Sequence, residues 1–299
     1  MNTAAARSAS RGASRLMRDV LSLFKLRIGF MIMITALVGM AVTPGPWPGV
    51  GPMIVLALSV IVSSAAAGAF NQYVDVESDR LMARTRGRAF VTGAVRRSPA
   101  WLVVMALMLA GACWAAWSVL NPMVALHTFL GAFVYGVVYT LWLKRRSWLN
   151  IVVGGLAGSF AVLAGAAAVD PGLGPLPLLL SLVLFLWTPP HFWSLAIARQ
   201  ADYAAAGVPM LPVVVGPQRA AQAVLVGTVA LVAASLLPGF FGAGPVYLAG
   251  AAAGGGYFII KSWALWLEPC RKTAMGAFSA SLVQLSLVLV AATIDGLMR

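Results

Sequence analysis

Three carboxylates crowd into five residues of this sequence, within Asn71-Gln-Tyr-Val-Asp75-Val-Glu77-Ser-Asp79-Arg80. On a helix, Asn71, Asp75 and Asp79 stand at i, i+4 and i+8 and line one face, while Glu77 points away. Two carboxylates and an amide oxygen are hard ligands. Magnesium takes one or two carboxylates and completes its octahedron with water and phosphate oxygens. Arg80, Arg84, Arg86 and Arg88 follow at once. Acids for a divalent cation beside cations for phosphate oxygens suit a metal–diphosphate complex. The plainer reading pairs these acids with the nearby arginines at a helix end; the alignment of the acids with that run favours the metal.

A second group lies far along the chain, in Leu186-Trp187-Thr-Pro189-Pro190-His191-Phe-Trp, continuing to Arg199, Asp202 and Tyr203. Arg199 and Asp202 are i, i+3 neighbours if the helix continues. The double proline should kink that helix and open a local cavity. His127 and His191 are the only histidines. Beside the prolines, His191 reads as a functional residue, and His127 as a structural one. Cys113 and Cys270 fall on different elements and predict no disulfide.

The elements that carry these groups must be membrane helices. Of the 299 residues, 61% are apolar and only 10% charged, against roughly a quarter charged in a soluble domain. Mean hydropathy is +0.91. A soluble enzyme and a disordered chain are both excluded. A bilayer core needs about 20 apolar residues per helix, and nine stretches qualify: 24–42, 52–73, 100–119, 122–142, 150–169, 174–196, 219–240, 244–261 and 273–294. The runs are too long, and too free of period-2 alternation, for an outer-membrane barrel. Of the 21 Lys and Arg residues, all but Arg299 fall at one side of a nine-span alternation. The bias of positive charge toward the cytoplasm then puts the N-terminus inside. The net charge of +13 is thereby a sign of orientation rather than of nucleic-acid binding. Residues 1–21 read as a basic arm without fixed structure, in preference to a mitochondrial transit peptide. Residues 22–299 form a single intramembrane domain.

These motifs carry a resemblance. From about residue 22 onward the chain resembles the UbiA superfamily of intramembrane prenyltransferases, and within it the branch that farnesylates haem. Asn71-x3-Asp75-x3-Asp79 matches the superfamily's first aspartate motif. The branch is suggested by Met82-Ala-Arg84-Thr85 to Arg88, by Tyr139-Thr-Leu-Trp-Leu-Lys144-Arg-Arg with Asn150-Ile, by Trp187-Thr-Pro-Pro-His-Phe-Trp, and by Asp202-Tyr to Gly207-Val-Pro-Met-Leu-Pro-Val. The resemblance implies a magnesium-dependent transfer from farnesyl diphosphate to a vinyl group of haem b. Asn71, Asp75, Asp79 and Asp202 would be the catalytic, magnesium-holding set. Arg84, Arg88, Lys144, Arg199 and Lys25 would clamp the diphosphate. His191, Tyr139 and Trp187 would face the acceptor, with His191 either on the haem iron or hydrogen-bonded to a propionate. It further implies a bacterial inner membrane, in preference to a mitochondrial one, and haem A synthase or oxidase-assembly proteins as partners.

Three places depart from the family pattern. Lys25-Leu26-Arg27 replaces Lys-Pro-Arg, and Arg88 is followed by Ala89-Phe90 rather than proline. Ala161-Val162 and Gly165-Ala166 stand where a Pro-Pro pair and Gly-Trp are common. The last change predicts a straighter fifth helix, space beside Ala166 and a looser hold on the acceptor. Competing readings are a relative with another acceptor (a quinone precursor or other tetrapyrrole) and a silent haem-binding assembly factor. A secondary transporter is disfavoured, because the acids gather at one membrane face rather than at mid-depth.

The charge split makes the topology testable. In a chain freed of its own cysteines, Arg84→Cys and Arg146→Cys should label only from the cytoplasmic side, and Trp47→Cys only from outside. Labelling of all three from one side would exclude a nine-span arrangement.

Overall fold

The computed structural model describes residues 16–298, and among them it contains helices and no strands. α1 (Leu16–Leu23) and α2 (Leu26–Val42) form a pair bent by 41°. Then come α3 (Val50–Val74), α4 (Val76–Leu81), α5 (Ala89–Thr92), α6 (Ala100–Val119) and α7 (Pro122–Phe133), which runs into a π-helical segment, Val134–Leu143. α8 (Asn150–Gly154), α9 (Leu156–Ala167) and α10 (Pro175–Ala198) follow. The short α11 (Gln200–Ala205) and α12 (Leu211–Val215) lead to α13 (Pro217–Leu236), a 3₁₀ turn, α14 (Pro245–Leu267) and α15 (Arg271–Leu297).

Each of the nine apolar stretches coincides largely with helix, and 150–169 is divided between α8 and α9. Seven described spans are long and apolar enough to cross a membrane on their own, and the bent α1–α2 pair makes an eighth. α14 has 23 residues, but its glycines and Lys261 dilute its hydropathy and leave it outside that set. The basic arm expected over 1–21 is revised at its end: residues 16–23 are helical, and Leu23 is fully buried. Residues 1–15 lie outside the described residues.

The long helices pack in chain order around a closed ring, α2–α3–α6–α7–α9–α10–α13–α14–α15, with α15 returning to α2. Two cross-contacts fill the middle, α2 with α9 and α10 with α15. Outward residues such as Leu107, Trp114 and Ile260 are exposed, as suits contact with lipid tails. Local chemistry sets the breaks. The Asn121 side chain accepts from Met123 N and Val124 N, both at 3.0 Å, with Pro122 at the first helical position. Its amide also donates to Ala167 O at 2.7 Å, tying α7 to the end of α9.

Two sequence expectations bear on this packing. α10 runs through Pro189 and Pro190 as one continuous helix. Thr188 donates to Leu184 O and Ser194 to Pro190 O, carbonyls other than those of Phe185 and Leu186, which the missing proline N–H groups leave without their helical donors. The fifth stretch leaves no space beside Ala166. Ala166 and Val162 are fully buried, and Ala161 nearly so. Backbone approaches backbone at this crossing: a Cβ on Gly165 would sit 1.7 Å from Ala36 O, and one on Gly39 would sit 2.2 Å from Val162 O. Small residues here serve the α2–α9 contact rather than an acceptor wall.

Gly165→Val should therefore destabilise the protein by about 3 kcal/mol or more, the upper end for overpacking. Gly158→Val, where a Cβ meets open space, should leave stability within about 0.5 kcal/mol of the native value. Thermal unfolding in detergent distinguishes them, and equal melting temperatures would contradict the crossing described.

Candidate active site

The acidic motif ends α3 and continues into α4. Asp75 sits at the junction with φ −85° and ψ 7°, yet Asp79 N still donates to Asp75 O at 2.8 Å. The helical face therefore survives the junction. Asn71, Asp75 and Asp79 are all buried, whereas Glu77 is exposed and pairs with Arg80 at 3.3 Å. The facing read from the spacing is the facing found.

Buried carboxylates demand compensation. Lys144, arriving from the end of the π-helical segment, pairs with Asp75 Oδ2, and Arg145 stands 3.6 Å from Asp75 Oδ1. Arg88 pairs with Asp79 Oδ2. Thr85 Oγ1 donates to Asp79 O at 2.8 Å, which folds the arginine-rich loop back toward the motif. Each carboxylate keeps one buried oxygen without a hydrogen-bond partner, Oδ1 in both cases. Two such hard oxygens fit a divalent cation of the magnesium kind. The acid–cation pairing and the metal reading thus describe the same residues.

Lys25 reaches this wall from the break between α1 and α2. Its backbone is left-handed, φ 47°, a conformation that costs a non-glycine residue of order 1 kcal/mol and tends to mark functional sites. Lys25 Nζ donates to Asn71 Oδ1 at 2.6 Å and to Tyr135 OH at 3.3 Å. Asn71 Nδ2 donates to Asp75 Oδ2 at 2.7 Å and to Thr140 Oγ1 at 3.1 Å.

Asp202 does not join Asp75 and Asp79. Among the described residues no three His, Cys, Asp or Glu side chains are close enough to hold one ion. The reason is local: α10 ends at Arg199 (φ −125°, ψ 26°) and a new short helix, α11, carries Asp202, so the i, i+3 pairing with Arg199 does not form. The two loops instead meet through tyrosines. Burial raises the Tyr203 phenol, and Arg84 close to its hydroxyl pulls the other way. Tyr139 and Tyr203 pack on one apolar cluster with Ile151, Val208 and Met210, and Tyr139 stacks on Tyr135 at 5.5 Å.

Deeper in the bundle, His191 lies in a stack with Trp187 at 4.1 Å and Phe278 at 4.6 Å. Its Nδ1 is 2.6 Å from Ser281 Oγ, and Trp187 Nε1 donates to Ser281 O at 2.8 Å. Ser281 Oγ gives its one proton to Phe278 O at 2.6 Å, so it must accept from His191 Nδ1–H. That leaves the Nε2 lone pair free. His127 bonds Met123 O at 2.7 Å within its own helix, as a structural histidine would.

Tyr135, Thr140, Arg145, Phe278 and Ser281 received no role in the sequence reading, although Thr140 and Arg145 stand within its Tyr139–Arg146 motif. The first three lie at five-residue spacing, which is the π-helical repeat rather than the α-helical one. The last two sit on a helix with no charged residue near them.

A family model for the UbiA prenyltransferase family matches residues 32–288. The chain is 56% identical over 278 residues to Protoheme IX farnesyltransferase 2 of Paramagnetospirillum magneticum, covering 93% of this chain and 96% of that protein. It is 47% identical to Protoheme IX farnesyltransferase 1 of the same organism, covering 93% and 98%. Among solved structures, digeranylgeranylglyceryl phosphate synthase matches with a TM-score of 0.79 at 18% identity, over 95% of this chain and 100% of that one. A UbiA homolog from Archaeoglobus fulgidus bound to DMAPP and Mg2+ matches with a TM-score of 0.65 at 14% identity, over 88% and 97%. With a helical ring of this topology and relatives this similar along nearly its whole length, the chain belongs to the UbiA prenyltransferase family and is a multi-pass membrane prenyltransferase.

Proposed function

We propose that this enzyme transfers a farnesyl group from farnesyl diphosphate to a vinyl group of haem b, giving the hydroxyethylfarnesyl haem, and that it does so with magnesium. The observation that carries the reading is the pair of buried oxygens on Asp75 and Asp79 that accept no hydrogen bond, flanked by Lys144, Arg145 and Arg88. The names of the similar Paramagnetospirillum proteins support haem as the acceptor, and the Archaeoglobus homolog supports a prenyl diphosphate with Mg2+.

Asp75 and Asp79 would hold the metal, with Asn71 beside them and Asp202 serving from the facing loop. Bound magnesium neutralises charge on the departing diphosphate. Lys144 and Arg88 now compensate the two aspartates; as diphosphate arrives they can turn to its oxygens, joined by Arg84, Arg199 and Lys25. Lys25 is held on Asn71 and Tyr135, so it enters with its ammonium already ordered. The stacked rings of Tyr135 and Tyr139 offer π-faces to an allylic cation. Apolar helices on every side exclude water from it. On the acceptor side, His191 presents a bare Nε2, which can ligate haem iron or accept a hydrogen bond but cannot donate one to a propionate. Trp187 and Phe278 hold its ring in place. The location follows as a bacterial inner membrane with the cation-rich loops in the cytoplasm, beside haem A synthase or oxidase-assembly proteins that take up the product.

Asp75→Asn or Asp79→Asn should reduce turnover by at least about 10²-fold, the scale of losing a group that stabilises transition-state charge. Glu77→Gln should stay within about twofold. Turnover is read from the haem product by liquid chromatography, and damage from Glu77→Gln equal to the other two would refute the facing.

The substrate assignment is tested by the mass of the product from purified protein, haem b, farnesyl diphosphate and magnesium. Haem bearing one added farnesyl group and one hydroxyl, the hydroxyl taken from water with release of a proton, is expected. Diphosphate release with no haem product, or prenylation of a quinone precursor in its place, would reassign the acceptor.

A further inference from the structure

The Asn71 amide has one orientation, and Thr140 enforces it. Thr140 Oγ1 carries a single proton and gives it to Tyr135 O at 2.7 Å. This is a five-residue reach that the π-helical repeat allows; in an α-helix the hydroxyl would return to the fourth residue back. Toward Asn71, Thr140 can then only accept, and Asn71 Nδ2 donates to it at 3.1 Å. The same nitrogen donates to Asp75 Oδ2 at 2.7 Å. Oδ1 is thereby turned to the other side, where Lys25 Nζ donates to it at 2.6 Å. A flipped amide would set Oδ1 against the Asp75 carboxylate and Nδ2 against the Lys25 ammonium. It would also leave Thr140 facing an acceptor with no proton to give. Three neighbours therefore agree on one orientation, and the neutral one among them, Thr140, has no charge of its own to bring to a substrate.

We propose that Thr140 is a positioning residue for the transfer reaction: it locks the Asn71 amide so that Oδ1, rather than Nδ2, is presented to positive charge beside Asp75. Lys25 already uses that oxygen as an acceptor, which marks the spot as one suited to a cation. The proposal rests on the magnesium–diphosphate reading above and deepens it. Thr140 touches neither reacting carbon nor diphosphate in this account; its effect passes entirely through Asn71. Without it, the amide loses the acceptor that complements Asp75, and a share of molecules can offer N–H where oxygen is needed.

The test is direct metal binding, without haem and without turnover. Mn2+ is titrated by electron paramagnetic resonance into full-length protein in detergent, with the non-hydrolysable farnesyl thiolodiphosphate present. Thr140→Val should weaken Mn2+ binding by about tenfold, the lower end for loss of a group orienting a metal ligand. Thr140→Ser, which keeps the hydroxyl, should stay within about twofold. In an Asn71→Ala background, adding Thr140→Val should change nothing further, because the two act as a unit. Should Thr140→Val fail to fold, Thr140→Ala removes the hydroxyl without added bulk and should show the same loss. Native affinity in Thr140→Val, an equal loss in Thr140→Ser, or additive losses with Asn71→Ala would each overturn the proposal. Absence of Mn2+ binding by the native chain is a separate result, and it would overturn the metal reading on which the proposal stands.

Discussion

Two carboxylates buried at the end of a membrane helix cannot stand there uncompensated, and much of this structure is arranged around that fact. A charge near hydrocarbon is costly by several kcal/mol unless it is paired and hydrogen-bonded. Asp75 and Asp79 meet the condition with cations drawn from two separate places in the chain, the π-helical segment and the loop after α4. Neither carboxylate is fully satisfied. The remaining oxygen on each accepts no hydrogen bond, with Arg145 standing 3.6 Å from that of Asp75, and a metal-bound diphosphate is a ligand that could meet both while giving the displaced lysine and arginine new partners.

The same reasoning explains why the site is built on helices that hardly resemble good helix formers. α2 and α9 carry Gly39 and Gly165 where their backbones touch. Glycine is a weak helix residue in water, yet in a bilayer it lets two helices approach until dispersion forces alone can hold them. That crossing fixes α2, and α2 begins at Lys25. Close packing in the middle of the bundle thus sets the position of a cation at its end.

Much of this was legible in the sequence. The spans follow from hydropathy, because a bilayer imposes one length on every crossing helix, and the face of Asn71, Asp75 and Asp79 follows from helical spacing. Glu77 could be excluded by the same geometry. Other features were hidden for identifiable reasons. The π-helical repeat over Val134–Leu143 has no marker in residue type, so the alignment of Tyr135, Thr140 and Arg145 could not be read from an α-helical wheel. Asp202 was expected beside the other acids because it shares their membrane face. Its separation arises from a helix end at Arg199 that no proline or glycine announces. Ala166 looked like missing bulk beside a ligand, whereas it is fully buried and Gly165 next to it packs on backbone atoms of α2, and contact of that kind leaves no trace in sequence beyond the smallness of the residues.

The ring also has a consequence for how the protein is made. Its long helices pack mostly against their neighbours in sequence, so a growing chain can assemble the bundle nearly in the order it is synthesised. Asp75 is the exception that matters. Its lysine partner lies 69 residues further on, which at about 5–20 residues per second is a delay of several seconds to somewhat over ten. During that interval α3 is complete but its carboxylate has no Lys144 to pair with, and the cations already made, Lys25 beside Asn71 among them, are the charges within reach. Until the π-helical segment emerges, compensation of the acids at the end of α3 therefore falls to cations made before them or just after them, Lys25 and the arginine-rich loop.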